Sequence, residues 1–283
     1  MAYEKCMVIT EIGANHQGDI EVAKEMIKCA KLAGANCCKF QKRDIEDYPE
    51  WKDRSYNSKN SFGKTYYDHR KYLEFTIEQH KELKLYCEEI GIEYSSSVWD
   101  LKSAKEIISL NPRYIKIPSA CNHNYELLEY VYNNYGKDIH ISLGMATKKE
   151  RKKLYEYLDN KKDRTVVYWT TSDYPSKFED LFLLEINDLT KRFENVGYSS
   201  HNLGIAISLV AYSLGCQFIE HHFTLDRTMK GNDHSASLEP SGLQKLCRDL
   251  KAAEKSLTYK GDDVTKGEKI NRKKLRGGKF NGY

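Results

Sequence analysis

The chain has 283 residues, 40% of them hydrophobic and 30% charged, with a formal net charge of +4. The length suits one large α/β domain, and the composition excludes a disordered or fibrous chain. No apolar run reaches the ~18 residues of a membrane span. The start, MAYEKCMVITEIG, has no long apolar signal region, so a cytoplasmic protein without a membrane partner is expected.

Charge is unevenly spread. Residues 266–283 carry Lys266, Lys269, Arg272, Lys273, Lys274, Arg276 and Lys279 against Glu268 alone. The basic excess therefore belongs to a tail, not to a face that would bind nucleic acid. The eight cysteines form no CxxC pair and no zinc-finger spacing. Most lie in or beside apolar runs, so reduced, buried thiols are expected.

In chain order, residues 7–10 form a short apolar run that stops at Glu11. The turn-rich EIGANHQGD follows. Asp19 caps an amphipathic helix over 20–32 that ends at Gly34. A second apolar run, 36–40, finishes in Lys39-Phe40-Gln41. Residues 42–73 are polar and aromatic, and such a long excursion after a strand reads as a functional loop or lid. Alternation then resumes. Helices are expected at 76–90, 101–110, 125–133, 148–158, 178–190, 203–214 and 243–256, and strands at 92–97, 114–117, 139–143, 166–170, 196–199 and 216–220.

Eight strands, each followed by a helix, predict a single-domain α/β fold, a closed (β/α)8 TIM barrel over 1–260 with a basic tail at 261–283. The competitor is a doubly wound open sheet. It usually carries a glycine-rich phosphate turn after its first strand, and no GxGxxG or Walker sequence is present.

In such a barrel the residues at the carboxyl ends of the strands build the site. Those ends offer Glu11, Asn15 and His16; Lys39 and Gln41; Ser96, Ser97 and Asp100; Lys116 and Ser119; Ser142; Thr171 and Ser172; Ser199 and His201; and one of His221 and His222, with Asp226, Arg227 and Asp233 just beyond. Adjacent strand residues point to opposite faces, so only one member of the His221-His222 pair can face the site. Two imidazoles on one rim suit a divalent metal with positions left open; the plainer reading is two unrelated polar histidines. Two lysines at strand ends need anionic partners. Either carboxylates such as Glu11 or Asp100 supply them, or a phosphorylated, carboxylated small molecule does, with serines bonding its phosphate. Glu11 is the candidate for moving a proton.

These residues sit in motifs that resemble the sialic acid synthases: EIGANHQGD, AGANCCKFQ, GKTYYDHRKYLEF, SSVWD, YIKIPSA, ISLGMAT, TTSDYP, GYSSHNLG and IEHHFTLDRTMKGNDHSASLEP, in the family's order over residues 6–275. The resemblance implies a (β/α)8 barrel that condenses phosphoenolpyruvate with an aldose, N-acetylmannosamine or a related amino sugar, to give a nonulosonic acid and phosphate. It implies Glu11 as the catalytic carboxylate. Lys39, Lys116, Ser119, Ser142, Ser172 and Ser199 would hold phosphoenolpyruvate, and Gln41 and Asp233 would lie near the acceptor. His201 and His222 would be ligands to Mn²⁺ or Mg²⁺, which selects His222 over His221.

The pattern departs from the family at Cys121, where an acidic residue often contacts the sugar, and at Ser200 of Ser199-Ser200-His201. The chain also stops inside what resembles the linker to a small capping domain. A lid from another protein, or from residues 43–72, is therefore expected. Barrels of this class commonly pair, so a homodimer is expected too. Two rivals stand beside this reading. One is a 3-deoxy-ulosonic acid synthase for another aldose or aldose phosphate, with Lys42, Arg43, Arg70 and Arg227 as extra cations. The other is a non-catalytic sugar-binding barrel.

Overall fold

A computed structural model describes residues 5–261 and 263–276; Lys279 and the rest of 277–283 in the expected tail lie outside the described residues. Eight parallel strands close on themselves in sequence order. They are β1 (Met7–Gly13), β2 (Cys37–Lys42), β3 (Glu93–Val98), β4 (Ile115–Ile117), β5 (Ile139–Ser142), β6 (Thr165–Trp169), β7 (Asn195–Ser200) and β8 (Phe218–His222). Pairing of β8 with β1 completes the barrel that the alternation predicts.

Side chains alternate across each strand. Val8, Ile12, Cys38, Phe40, Ile115, Ile117, Val167, Val196 and Ile219 pack outward against the helices. Ile9, Cys37, Tyr114, Val166 and Tyr168 fill the bottom of the barrel with Met7 and Phe218. Above them the His140 ring stacks on Tyr114 at 3.6 Å between centroids, and its Nδ1 lies 2.8 Å from the Tyr168 hydroxyl. Burial, with Lys116 nearby, holds that imidazole neutral, well below its ordinary pKa. Gly197 makes this layer possible, because a Cβ there would sit 2.5 Å from the Tyr168 ring. The barrel is thus plugged from below and open only at the carboxyl end.

The helices are α1 (Ile20–Ala33), α2 (Tyr66–Leu73), α3 (Ile77–Ile90), α4 (Leu101–Ser109), α5 (Tyr125–Asn134), α6 (Lys148–Leu158), α7 (Glu185–Arg192), α8 (Ala206–Ser213), α9 (Pro240–Ser256) and α10 (Lys266–Arg276), the last without a buried residue. Asp19, Thr76 and Thr147 cap α1, α3 and α6 with their side chains, satisfying first-turn N–H groups. The helix expected over 178–190 is instead a 3-10 turn at Phe178–Asp180 followed by α7. Phe182 stands between them with φ +45°, a left-handed conformation that interrupts a helix. Strand β8 runs on through both histidines because His222 stays in register with Glu11. The excursion after β2 is folded: two 3-10 turns, an antiparallel bridge between Ser55 and Thr65, and α2. All eight cysteines are free thiols, and no helix among the described residues is long and apolar enough to cross a membrane.

Candidate active site

At the carboxyl end, the inward positions of neighbouring strands carry charge. Glu11 of β1 lies opposite Lys39 of β2, and Lys39 Nζ pairs with Glu11 Oε2. Lys39 also donates to Ser97 Oγ at 2.8 Å. Glu220 of β8 accepts from Lys116 Nζ at 2.6 Å and from Ser199 Oγ at 3.0 Å. Its other oxygen lies 3.8 Å from Lys39 Nζ. These four ionisable groups are 2–3% exposed. In so dry a layer only an alternation of signs is tolerable.

Burial pushes Lys116 down to about 8 despite Glu220, with Lys39 adding to the fall. Burial also disfavours charge on Glu220, but Lys116 and Lys39 outweigh it and hold that carboxyl below its ordinary range. Burial opposes charge on Lys39 likewise, and Glu11 and Glu220 win, raising it. The expected lysine partner Asp100 is not used. It caps α4 through Ser103 N instead.

Above this layer is a cavity of about 300 Å³. Glu11, Lys39, Gln41, Lys116, Ser119, Ser142, Ser199, His201, His222 and Asp233 all line it. Ser172 does not, but it stands close behind. A Cβ on Gly144 would lie 2.3 Å from Ser172 Oγ and 2.6 Å from Ser119 Oγ. Only glycine lets those two hydroxyls converge, and the buried Ser172 Oγ has no hydrogen-bond partner. Cys121 is turned away, its thiol 3.4 Å from Trp99 O.

The two rim histidines face each other, ring centroids 5.5 Å apart. His201 Nδ1 is 2.7 Å from Thr171 O. It must donate there, which leaves Nε2 with its lone pair, the arrangement by which a backbone carbonyl orients a metal-ligating histidine. Burial, and then His222, press His201 down to about 3, so the ring is neutral and available to a cation. His222 Nδ1 is buried without a hydrogen-bond partner and lies 3.8 Å from Asp233 Oδ2. The donor set therefore fits a divalent cation held by two imidazoles. Among the described residues no group of three or more His, Cys, Asp or Glu side chains is placed to hold a metal ion; two imidazoles alone would leave the other coordination positions to substrate or water. His221 points outward and pairs with Ser208 Oγ at 2.6 Å through Nε2.

The excursion after β2 supplies one wall. Phe62, Tyr66, His69 and Arg70 line the cavity. Asn232, from the loop after β8, donates to the Tyr56 hydroxyl at 2.5 Å, and Lys230 sits 4.8 Å above the Phe62 ring. The two loops thus meet over part of the mouth. On the opposite side Tyr174 lies over His201, centroids 4.1 Å apart.

Of the extra cations, Arg43 and Arg70 line the cavity; Lys42 pairs with Glu106 at 3.3 Å, and Arg227 bonds Ser235 O, neither in the lining. Arg43 and Arg70 share one carboxylate, Glu74, whose side chain is 9% exposed. Burial disfavours its charge, but Arg70 and Arg43 prevail and hold it at about 2. Glu74→Gln is expected to lower the unfolding free energy by about 2 kcal/mol at neutral pH, as for hydrogen bonds to charged groups. A folded-state carboxyl depressed to about 2 gives stability that is present above the ordinary carboxylate range and lost as pH falls toward that value. Urea titrations of both proteins should therefore converge in acid.

Sequence reasoning missed Glu220 and Glu74. Glu220 lies two residues before His222 in one strand, hence on the same face. Glu74 caps the C-terminus of α2 four residues after Arg70, a spacing that brings side chains together. The Thr65/Asp68 capping box signals α2.

Comparison with known proteins bears on this cavity. The NeuB family profile matches residues 26–262. N-acetylneuraminate-9-phosphate synthase of Mus musculus is 42% identical over 256 residues, covering 89% of this chain and 71% of that protein. N,N'-diacetyllegionaminic acid synthase of Campylobacter jejuni subsp. jejuni serotype O:2 is 33% identical over 279 residues, covering 96% and 82%. The crystal structure of the N-acetylneuraminic acid (sialic acid) synthetase of Leptospira borgpetersenii serovar Hardjo-bovis, in complex with citrate, superposes with a TM-score of 0.83 at 29% identity, covering 96% of this chain and 93% of that one. Matched by that profile over residues 26–262 and along most of its length by such relatives, the chain belongs to the NeuB family.

Proposed function

We propose that the chain is a transferase that joins phosphoenolpyruvate to the aldehyde carbon of an open-chain amino sugar, giving a nonulosonic acid and phosphate. The observation that carries this reading is the meeting, in one cavity closed from below, of two buried lysines, a ring of serine hydroxyls, Glu11 and two imidazoles. Relatives that make N-acetylneuraminate 9-phosphate and diacetyllegionaminic acid support it.

Lys39 and Lys116 attract the carboxylate and phosphate of phosphoenolpyruvate. Ser119, Ser142 and Ser172 donate to its oxygens, because charge-assisted bonds in a dry site are strong; Ser199, whose proton rests on Glu220, joins them by turning its hydroxyl to the ligand. Gln41 and Asp233 face the acceptor. Glu11 moves the proton as water adds at C2, C3 bonds to the aldehyde carbon and the C–O bond to phosphate breaks. Held by His201 and His222, Mn²⁺ or Mg²⁺ would supply Lewis acidity toward the aldehyde oxygen. Holding both substrates in line removes much of the entropic barrier. In this reading the lid is internal, made by the excursion after β2 and the loop after β8.

A phosphorylated acceptor is the favoured variant of the reading. The buried Arg70 Nε has no partner, and two guanidiniums share a single carboxylate beside the cavity.

The test is phosphate release from phosphoenolpyruvate with Mn²⁺ and N-acetylmannosamine, its 6-phosphate, mannose or arabinose 5-phosphate. Release that depends on an amino sugar is expected, faster with the 6-phosphate. A folded, Mn²⁺-binding protein that releases none with any sugar would instead be a sugar-binding barrel.

A further inference from the structure

Arg43 sits at the end of β2 with its guanidinium 3.7 Å above the Trp99 ring. That stacking fixes its plane, and the plane fixes where its N–H groups point. Nη2 donates to Gln41 Oε1 at 2.6 Å, and Nη1 to Glu74 Oε1 at 3.0 Å. The Arg43 backbone N–H bonds the second Glu74 oxygen at 3.1 Å.

A guanidinium has donors only. The Gln41 oxygen must therefore face Arg43, and the amide nitrogen must face the other way, where it donates to Glu11 Oε1. Lys39 occupies Glu11 Oε2. The Glu11 carboxylate is thus held at both oxygens, one through an amide whose direction Arg43 sets. Gly13, at φ +58°, packs against this contact; a Cβ there would lie 3.3 Å from Gln41 Nε2 and 3.4 Å from Glu11 Oε1.

We propose that Arg43 is a positioning residue for Glu11, acting through the side-chain amide of Gln41. The plainer role, neutralising Glu74, does not need Arg43. Arg70 pairs with the same carboxylate at 2.5 Å, so removing Arg43 leaves one cation facing one anion. Without the guanidinium, only the Glu11 carboxylate still orients the Gln41 amide; the amide oxygen loses its donor and the side chain is no longer fixed at that end. The catalytic consequence rests on the condensation reading; the geometry of the amide does not.

Two readouts separate those cases. The first is NMR of protein labelled with ¹⁵N in glutamine side chains, with the Gln41 amide assigned by its loss in Gln41→Met. One Gln41 N–H is expected to be shifted downfield and protected from exchange, and both features should vanish in Arg43→Met. The second is steady-state phosphate release. Arg43→Met is expected to lower kcat about 10–100-fold, the usual loss when a supporting residue is removed, with the KM for phosphoenolpyruvate within about twofold of the parent. The Arg43→Met/Gln41→Met protein should then be no slower than Gln41→Met, because the two residues act in series. Arg43→Lys keeps a cation near Glu74 but lacks the fork, so it should be impaired like Arg43→Met; it also serves if Arg43→Met does not fold. Additive losses, full activity in Arg43→Lys, or an unchanged Gln41 resonance would each overturn the proposal. A parent protein without turnover would sink the condensation reading, while the amide resonance still decides the role of Arg43.

Discussion

Glu220→Gln is expected to cost about 3–5 kcal/mol of stability at pH 6, the penalty for removing one partner of a buried ion pair. The change is isosteric, so no cavity forms. What disappears is the negative charge 2.6 Å from Lys116 and 3.8 Å from Lys39. Lys116 already lies down at about 8, chiefly through burial and partly through Lys39. Without Glu220 it must fall further. A folded-state lysine depressed below its unfolded value of ~10.4 disfavours the native state at low pH, and that penalty is relieved as pH rises through the folded pKa. The stability gap between Glu220→Gln and the parent should therefore be widest in mild acid, narrow toward pH ~8, where Lys116 of the parent itself titrates, and stay level above. Guanidinium unfolding at several pH values measures it. A gap of the same size at every pH would mean that Lys116 keeps its charge without Glu220, so that the layer is hydrated rather than dry.

The charge layer also explains what could be read from the sequence. The closed barrel was legible because it rests on repetition: eight apolar runs, each followed by an amphipathic segment, with few geometries able to bury both. The rim was legible for the same reason, since the end of each run names its residue; Glu11, Lys39, Lys116, Ser199 and His201 followed directly. Partnerships were legible only in part: Glu11 with Lys39 was among the expected pairs, Lys116 with Glu220 was not. Nothing local in Lys116 points to Glu220, which lies 104 residues away in sequence and reaches it only because β4 and β8 face each other across the barrel. From sequence Lys39 and Lys116 read either as partners of Glu11 or Asp100 or as cations awaiting an anionic ligand; Lys39 does hold Glu11, and Lys116 holds Glu220, which neither reading named. The two readings are compatible if the ligand enters above a layer that balances itself, and the lining of the cavity by both lysines allows that. The interruption near Phe182 was illegible for another reason. A single positive φ in an otherwise helical pattern leaves no trace in periodicity.

His222→Ala and His221→Ala should separate function from stability at adjacent positions. His222 faces the cavity opposite His201 and its buried Nδ1 bonds no protein atom. Its loss removes one of two imidazoles from the proposed cation site and breaks little else. Mn²⁺ affinity, followed by the electron paramagnetic resonance signal of free Mn²⁺, should fall by more than the about 10–100-fold typical of residues that merely support a metal ligand. Turnover should fall with it, and the melting temperature in the absence of metal should stay close to the parent's. His221 is buried on the outer face of the same strand, bonded to Ser208 Oγ beneath α8 and pressed down to about 3 by burial, with His222 and His201 adding to the effect. Its replacement strands the Ser208 hydroxyl and opens a void. A loss of about 1–3 kcal/mol in stability follows from the unpaired polar group, with Mn²⁺ binding and turnover per folded molecule retained. Equal Mn²⁺ binding by His222→Ala and the parent would remove the cation from this rim. The lone pair that the Thr171 carbonyl leaves on His201 would then have to serve a substrate hydroxyl as an acceptor.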